Sequence, residues 1–175
     1  KTSNKGKLWK KAELDVSSYL YSIAAYENFI YAAGDSGIIL KSTDYGESWN
    51  QVYSGASSIL ALAAVGENVV AAVSEDWEVI RSEDGGKNWT VIDDEETALS
   101  SACGTVKNMI VDNNGRLILA MAAKIAVSED MGNSWELFTT PANTVSIGKK
   151  GKDNFFIISW DRYFTTANSD LEYDP

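Results

Sequence analysis

Three octapeptides hold a serine, an aspartate, a glycine and a tryptophan at one fixed spacing. They are Ser42-Thr-Asp-Tyr-Gly-Glu-Ser-Trp49, Ser82-Glu-Asp-Gly-Gly-Lys-Asn-Trp89 and Ser128-Glu-Asp-Met-Gly-Asn-Ser-Trp135. Carboxylates serve hydrolysis as general acids and bases, so Asp44, Asp84 and Asp130 are the first residues to weigh for chemistry. Their recurrence argues for another role. A reaction needs its acid once, whereas a turn that closes each repeat needs it every time. Gly46, Gly86 and Gly132 suit a backbone with positive φ. Ser42, Ser82 and Ser128 with the aspartates can bond local backbone groups, and Trp49, Trp89 and Trp135 can cover neighbouring core. The motif reads as structural.

Other chemistry is bounded by what the chain lacks. It has no histidine, which removes His general bases, His zinc sites and Ser-His-Asp triads. Its single cysteine, Cys103, allows neither an internal disulfide nor a cysteine metal cluster, and no cofactor or metal is expected. In its Ala-Cys-Gly context Cys103 reads as a small buried residue. The 25 acids against 15 bases give a net charge of −10, which argues against a nucleic-acid or anionic-membrane surface. Five lysines (Lys1, Lys5, Lys7, Lys10 and Lys11) precede the first acid and read as a solvated, lysine-protected edge. No apolar run is long enough for a membrane helix.

The elements that position these motifs are set by the repeats. Two weaker copies, Thr2-Ser-Asn-Lys-Gly-Lys-Leu-Trp9 and Thr166-Ala-Asn-Ser-Asp-Leu-Glu-Tyr173, extend the series. The five copies start at 2, 42, 82, 128 and 166, a period that suits a four-stranded propeller blade of roughly 40–45 residues. Apolar runs at Phe29–Ala33, Val69–Val73, Leu117–Met121 and Phe155–Trp160 each come after a polar turn. A further run leads into each octapeptide (Ile38–Lys41, Glu78–Arg81, Ile125–Val127 and Tyr163–Thr165), and another begins at each tryptophan. The runs are short, rich in β-branched and aromatic residues, and nowhere helical in period. The fold class is all-β: a β-propeller of four-stranded antiparallel blades, about four in this chain.

The octapeptides resemble the Asp-box, or BNR repeat, of sialidases, sortilin-type receptors, some endoglucanases and photosystem assembly factors. That resemblance spans essentially the whole chain. It implies a propeller with the boxes on the face opposite the usual ligand face, and it implies no particular activity. Sialidases use three arginines, a Tyr–Glu pair and an acidic general acid. This chain has three arginines, but Arg81 and Arg116 fall beside the box face and no Arg-Ile-Pro signature occurs. An acidic pair of another glycosidase type, about 5–9.5 Å apart, has no distinguishing residue here.

The face away from the boxes collects the turns between second and third strands. Its ligand candidates are Asp35, Asp76, Trp77, Lys124, Trp160, Asp161 and Arg162, which suit sugar stacking or a protein contact. Trp77 and Trp160 equally fit packing between blades. The acidic run Asp93–Glu96 reads as a solvated loop, and Asn88-Trp89-Thr90 spells a glycosylation sequon inside a box turn.

The repeats divide a single propeller, 1–175, into an orphan outer strand at 1–16 and blades at 17–56, 57–104, 105–142 and 143–175. Joining the orphan strand to the last blade would close a four-bladed ring. The competing reading is a piece of a larger ring, or two chains forming eight blades as a homodimer. The chain opens at Lys1 with neither an initiator Met nor a signal-peptide pattern, as a mature product or a piece of a longer chain would. The expected function is non-catalytic binding or scaffolding of a carbohydrate or protein partner on a secreted or surface-exposed protein. A glycoside hydrolase, possibly truncated, is the alternative.

Overall fold

The computed structural model describes residues 1–66, 70–92, 99, 104–140, 144–150, 154–159, 163–167 and 172–174. Cys103, Asp93–Glu96, Trp160, Asp161 and Arg162 lie outside the described residues.

The chain folds as a β-propeller of four antiparallel four-stranded sheets, each a simple meander. The first blade holds β1 (Leu20–Tyr26), β2 (Phe29–Gly34), β3 (Ile39–Ser42) and β4 (Asn50–Tyr53). The second holds β5 (Ile59–Ala64), β6 (Val70–Ser74), β7 (Val79–Ser82) and β8 (Thr90–Ile92). The third holds β9 (Val106–Val111), β10 (Leu117–Met121), β11 (Lys124–Ser128) and β12 (Glu136–Thr139). The fourth holds β13 (Thr144–Lys150), β14 (Asn154–Ser159), β15 (Tyr163–Ala167) and β16 (Glu172–Asp174). The first strands form the inner row, with β1 beside β5, β5 beside β9 and β9 beside β13.

Sheet stacks on sheet, so a strand between two blades is apolar on both faces. β10 reads Leu-Ile-Leu-Ala-Met and every residue is buried. Leu117, Leu119 and Met121 pack on Ala61, Val73 and Val79 of the second blade. Ile118 and Ala120, pointing the other way, meet Ile147 and Ile157 of the fourth. Tyr31, Ala33 and Ile39 join Leu62, Ala72 and Ile80 between the first two blades. β1 breaks the rule, because its alternate residues Tyr21, Ile23 and Ala25 are exposed.

Two expectations need correction. The outer strands begin one residue after each tryptophan, since the indole is used by the turn. Among the described residues the orphan outer strand at 1–16 is not formed: residues 8–16 pair with no described strand. β16 takes the fourth place in the last blade, pairing Asp174, Tyr173 and Glu172 with Thr165, Thr166 and Ala167.

Candidate functional site

The octapeptide turns are built from their own short-range bonds. Ser42 Oγ donates to Asp44 Oδ1 at 2.8 Å and accepts the Gly46 N–H at 2.8 Å. Asp44 in turn accepts the N–H groups of Glu47 and Ser48 and the Ser48 hydroxyl. Ser82, Asp84 and Gly86 repeat the pattern, as do Ser128, Asp130 and Gly132. Trp89 and Trp135 then donate their indole N–H to Gly86 and Gly132 at 3.2 and 3.1 Å. Trp49 keeps the position, but its buried Nε1 has no partner among the described residues.

These bonds set the acidity of the three aspartates. The hydroxyl and N–H of Ser48, then Ser42, hold Asp44 well below the usual carboxylate range. The backbone and side-chain donors of Asn88 bring the pKa of Asp84 down to about 2. Partial burial works against Asp130, yet Ser134 and Ser128 still lower it. A carboxylate so stabilised as the anion is a poor general acid or base near neutral pH.

The arginines near the same face are also engaged. Arg81 donates from Nη1 to the Met131 carbonyl at 3.2 Å and pairs with Glu83. Arg116 Nε meets Asp112 Oδ2 at 2.6 Å. A cavity of about 610 Å³ opens at this end between β1, β5 and β9. Apolar residues such as Ile23, Ala24, Leu62, Ala63 and Met109 line most of it, and Asp112 on its border is already bound by Arg116 and two backbone N–H groups. No local sequence pattern marks this cavity, because its mostly apolar walls come from three strands far apart in the chain.

The opposite rim carries the sequence candidates Asp35 and Asp76. In a meander the second-to-third-strand turn falls at the end away from the octapeptides, beside the residue that enters the first strand. There the Asp35 N–H donates to the Tyr19 carbonyl at 2.9 Å, and Tyr19 N–H returns a 3.3 Å bond to Asp35 Oδ2. The second blade repeats the exchange between Glu75 and Ser58, at 2.9 and 3.3 Å. In the third blade only the backbone half remains, from Ala122 N–H to Thr105 at 3.1 Å. Gly34 makes the approach possible, because an added Cβ would lie 1.9 Å from the Tyr19 oxygen.

Two tyrosines complete this rim. Tyr21 donates its hydroxyl to Asp35, and Tyr19 is 76% exposed beside it. The bond to Asp35 raises the pKa of Tyr21, with lesser contributions from desolvation and the charges of Asp35 and Glu75. Ser57 donates to Asp76 on the same rim. The result is an aromatic, electronegative surface of Tyr19, Tyr21, Asp35, Glu75 and Asp76.

The other candidates separate from it. Trp77 adopts positive φ (69°) and packs, half-buried, on the core between the second and third blades. Lys124 opens β11, half-buried, and its backbone pairs with Thr139. Tyr19, Tyr21 and Glu75 are not among the sequence candidates. The available signal is the spacing of Tyr19, Tyr21 and Ile23, which turns three large residues to one side of a strand.

The family described as DUF6242 beta propeller domain matches residues 1–103. Among solved structures, the one titled "YCF48 bound to D1 peptide" is 19% identical with a TM-score of 0.71. That likeness covers 97% of this chain and 57% of that one, so the chain spans little more than half of the relative's length. YCF48 from Cyanidioschyzon merolae is 15% identical at a TM-score of 0.63, covering 95% of this chain and 74% of that one. A GH74 xyloglucanase from Xanthomonas campestris is 14% identical at 0.68, covering 87% of this chain and 30% of that one. At these identities the likeness is one of fold. No curated protein gives a significant sequence match.

Proposed function

The chain belongs to the DUF6242 β-propeller domain family, and from that premise we propose that it is a non-catalytic binding module for a basic peptide segment of a protein partner. The octapeptide turns are read as Asp-boxes that hold the blades, and the ligand face is the rim opposite them. The observation that carries this reading is the gathering of two exposed tyrosines with three carboxylates at the entries of β1 and β5. Tyrosine rings offer a cation their face while the carboxylates add charge. A lysine or arginine side chain answers both. The peptide bound in the YCF48 structure supports a peptide ligand for this architecture.

The test is titration of a fluorescent lysine- and arginine-rich peptide, with an acidic peptide and xyloglucan oligosaccharides as competitors. Binding that weakens with salt, and at least about tenfold in Asp35→Asn, is expected; that loss corresponds to about 1.4 kcal/mol. Preference for the oligosaccharide, or release of reducing sugar from xyloglucan, would overturn the proposal in favour of a glycoside hydrolase.

A further inference from the structure

The turn between β9 and β10 differs from its counterparts in the first two blades. It reads Asp112-Asn113-Asn114-Gly115-Arg116, and Asn114-Gly115 is the one Asn-Gly pair in the chain. The corresponding segments of the first two blades hold Asn28-Phe29 and Asn68-Val69, where a bulky residue follows the asparagine. Asn28 is tied down as well, since its Nδ2 donates to the Thr43 carbonyl at 3.1 Å. Asn114 is exposed, and its carboxamide bonds none of the described residues.

The Asp112 carboxylate builds this turn. It is buried, and its Oδ1 accepts the N–H groups of Asn114 and Arg116, both at 2.8 Å, while Oδ2 meets Arg116 Nε at 2.6 Å. The Gly115 N–H, between those two in the chain, turns instead to the Asp112 carbonyl at 3.4 Å, longer than an ordinary N–H···O bond. Gly115 holds φ of 83° as the left-handed residue of a three-residue hairpin loop. A Cβ added there would meet only Val65 Cγ1, at 3.8 Å, so the turn has room around it. The Asn114 carboxamide therefore adjoins a loosely held amide nitrogen, with no side chain to shield it, at a turn open to water.

We infer that Asn114 is a site of spontaneous covalent modification, by deamidation through a succinimide. The Gly115 nitrogen attacks Asn114 Cγ and a C–N bond closes the ring. The Gly115 amide proton passes to the departing NH2 group, which leaves as ammonia. Water then opens the ring at either carbonyl. One opening gives aspartate, and the other gives isoaspartate, in which the main chain runs through Cγ. The only co-reactant is water.

Both products add a negative charge beside Asn113 and Gly115, which border the cavity at the octapeptide end. Isoaspartate also adds one carbon to the backbone ahead of Gly115, so the N–H groups of residues 114 and 116 no longer converge on one oxygen of Asp112. Strand β10 begins at the residue after Arg116 and is buried along its whole length against the second and fourth blades. The isoaspartyl form therefore holds the third blade less firmly than the aspartyl form.

Incubation of the chain in mildly alkaline buffer made with heavy-oxygen water, then digestion in ordinary water and peptide mass mapping, tests the site. The peptide bearing Asn114 should exchange NH2 for a labelled OH and resolve into aspartyl and isoaspartyl forms. Its conversion should be at least about tenfold faster than at any other described asparagine, because only Gly115 presents no side chain to the attack. Asn114→Gln, an exposed change that keeps the amide but not the ring size, should abolish conversion. The aged parent should gain a second population of lower melting temperature, while Asn114→Gln aged alike and fresh Asn114→Asp each melt as one. An unconverted Asn114, conversion no faster than at the other asparagines, or aspartate without isoaspartate would overturn the inference. Full conversion with an unchanged melt would overturn the role given to Asp112 in it.

Discussion

The Lys41 ammonium donates to the Gly85 carbonyl at 2.6 Å, joining the third strand of the first blade to the octapeptide turn of the second. The same carbonyl accepts the Tyr31 hydroxyl at 3.3 Å, and the ammonium sits 4.9 Å from the Phe29 ring centre. Desolvation at this seam, then the charge of Lys87, lowers the Lys41 pKa, partly offset by Asp84. The residue is a blade-to-blade strut. Lys41→Met keeps the stem and removes the donor, so it should destabilise the fold by about 1–2 kcal/mol. Tyr31→Phe removes the other donor to the same oxygen. Thermal melts of both singles and the double should show a non-additive loss, and strict additivity would mean that the two donors are not coupled.

The octapeptide aspartates give a pH dependence of known sign. Their folded pKa values lie below the unfolded one, so their stabilisation is complete above about pH 4. It is lost as pH falls through the folded values, which for Asp84 is about 2. Melting temperature should therefore drop between pH 4 and 2 in the parent chain. Asp84→Asn, compared over that window, should melt lower at neutral pH and show a shallower fall. Parallel curves for the two proteins would rule out this source of acid sensitivity.

How much of this is legible in the sequence depends on the reach of each bond. Ser42, Asp44 and Gly46 bond within four residues, so a fixed spacing betrays the turn and, by repetition, the blades. The Tyr19–Asp35 exchange spans sixteen residues and Lys41–Gly85 spans 44, so no local pattern announces either. Strand counting alone places Asp35 at the end away from the octapeptides. The same counting puts Trp77 there, but its side chain turns inward to the core. An N-terminal outer strand is expected, but residues 8–16 pair with no described strand and β16 holds the fourth place of the last blade.

Two glycines differ in what they permit. Gly132 has φ of 94°, and an added Cβ would lie 3.0 Å from Val79 Cγ1. Gly46 has φ of 80°, with its nearest neighbour, the Trp49 ring, at 3.5 Å. Both Ala variants carry backbone strain of order 1 kcal/mol, and only Gly132→Ala also disturbs the seam between the second and third blades. Chemical denaturation should rank Gly132→Ala as the more destabilised. Equal losses would show that strain alone decides.

The tryptophans offer a sharper comparison. Trp135 Nε1 bonds Gly132, while the buried Trp49 Nε1 bonds none of the described residues. Phenylalanine at 135 orphans a carbonyl and removes ring area, whereas at 49 it also removes an unpaired donor whose burial is unfavourable. Trp135→Phe should therefore cost more than Trp49→Phe, by about 1 kcal/mol. The reverse order in matched melts would mean that the Trp49 indole finds a partner in solution.

Tyr21 provides a direct reading of the rim charge. Its hydroxyl bond to Asp35, then desolvation and the charges of Asp35 and Glu75, raises its pKa above the ordinary phenol value. Asp35→Asn removes the charged acceptor, and the Tyr21 titration should move down toward the ordinary value. Ultraviolet absorbance during alkaline titration, with Tyr21→Phe to assign the transition, measures it. A saturating basic peptide should act in the same direction as the mutation, because a cation among Asp35, Glu75 and Asp76 stabilises the phenolate. The shift should disappear in Tyr21→Phe. A peptide that binds without moving this titration must bind somewhere other than the rim formed by Tyr19, Tyr21 and Asp35.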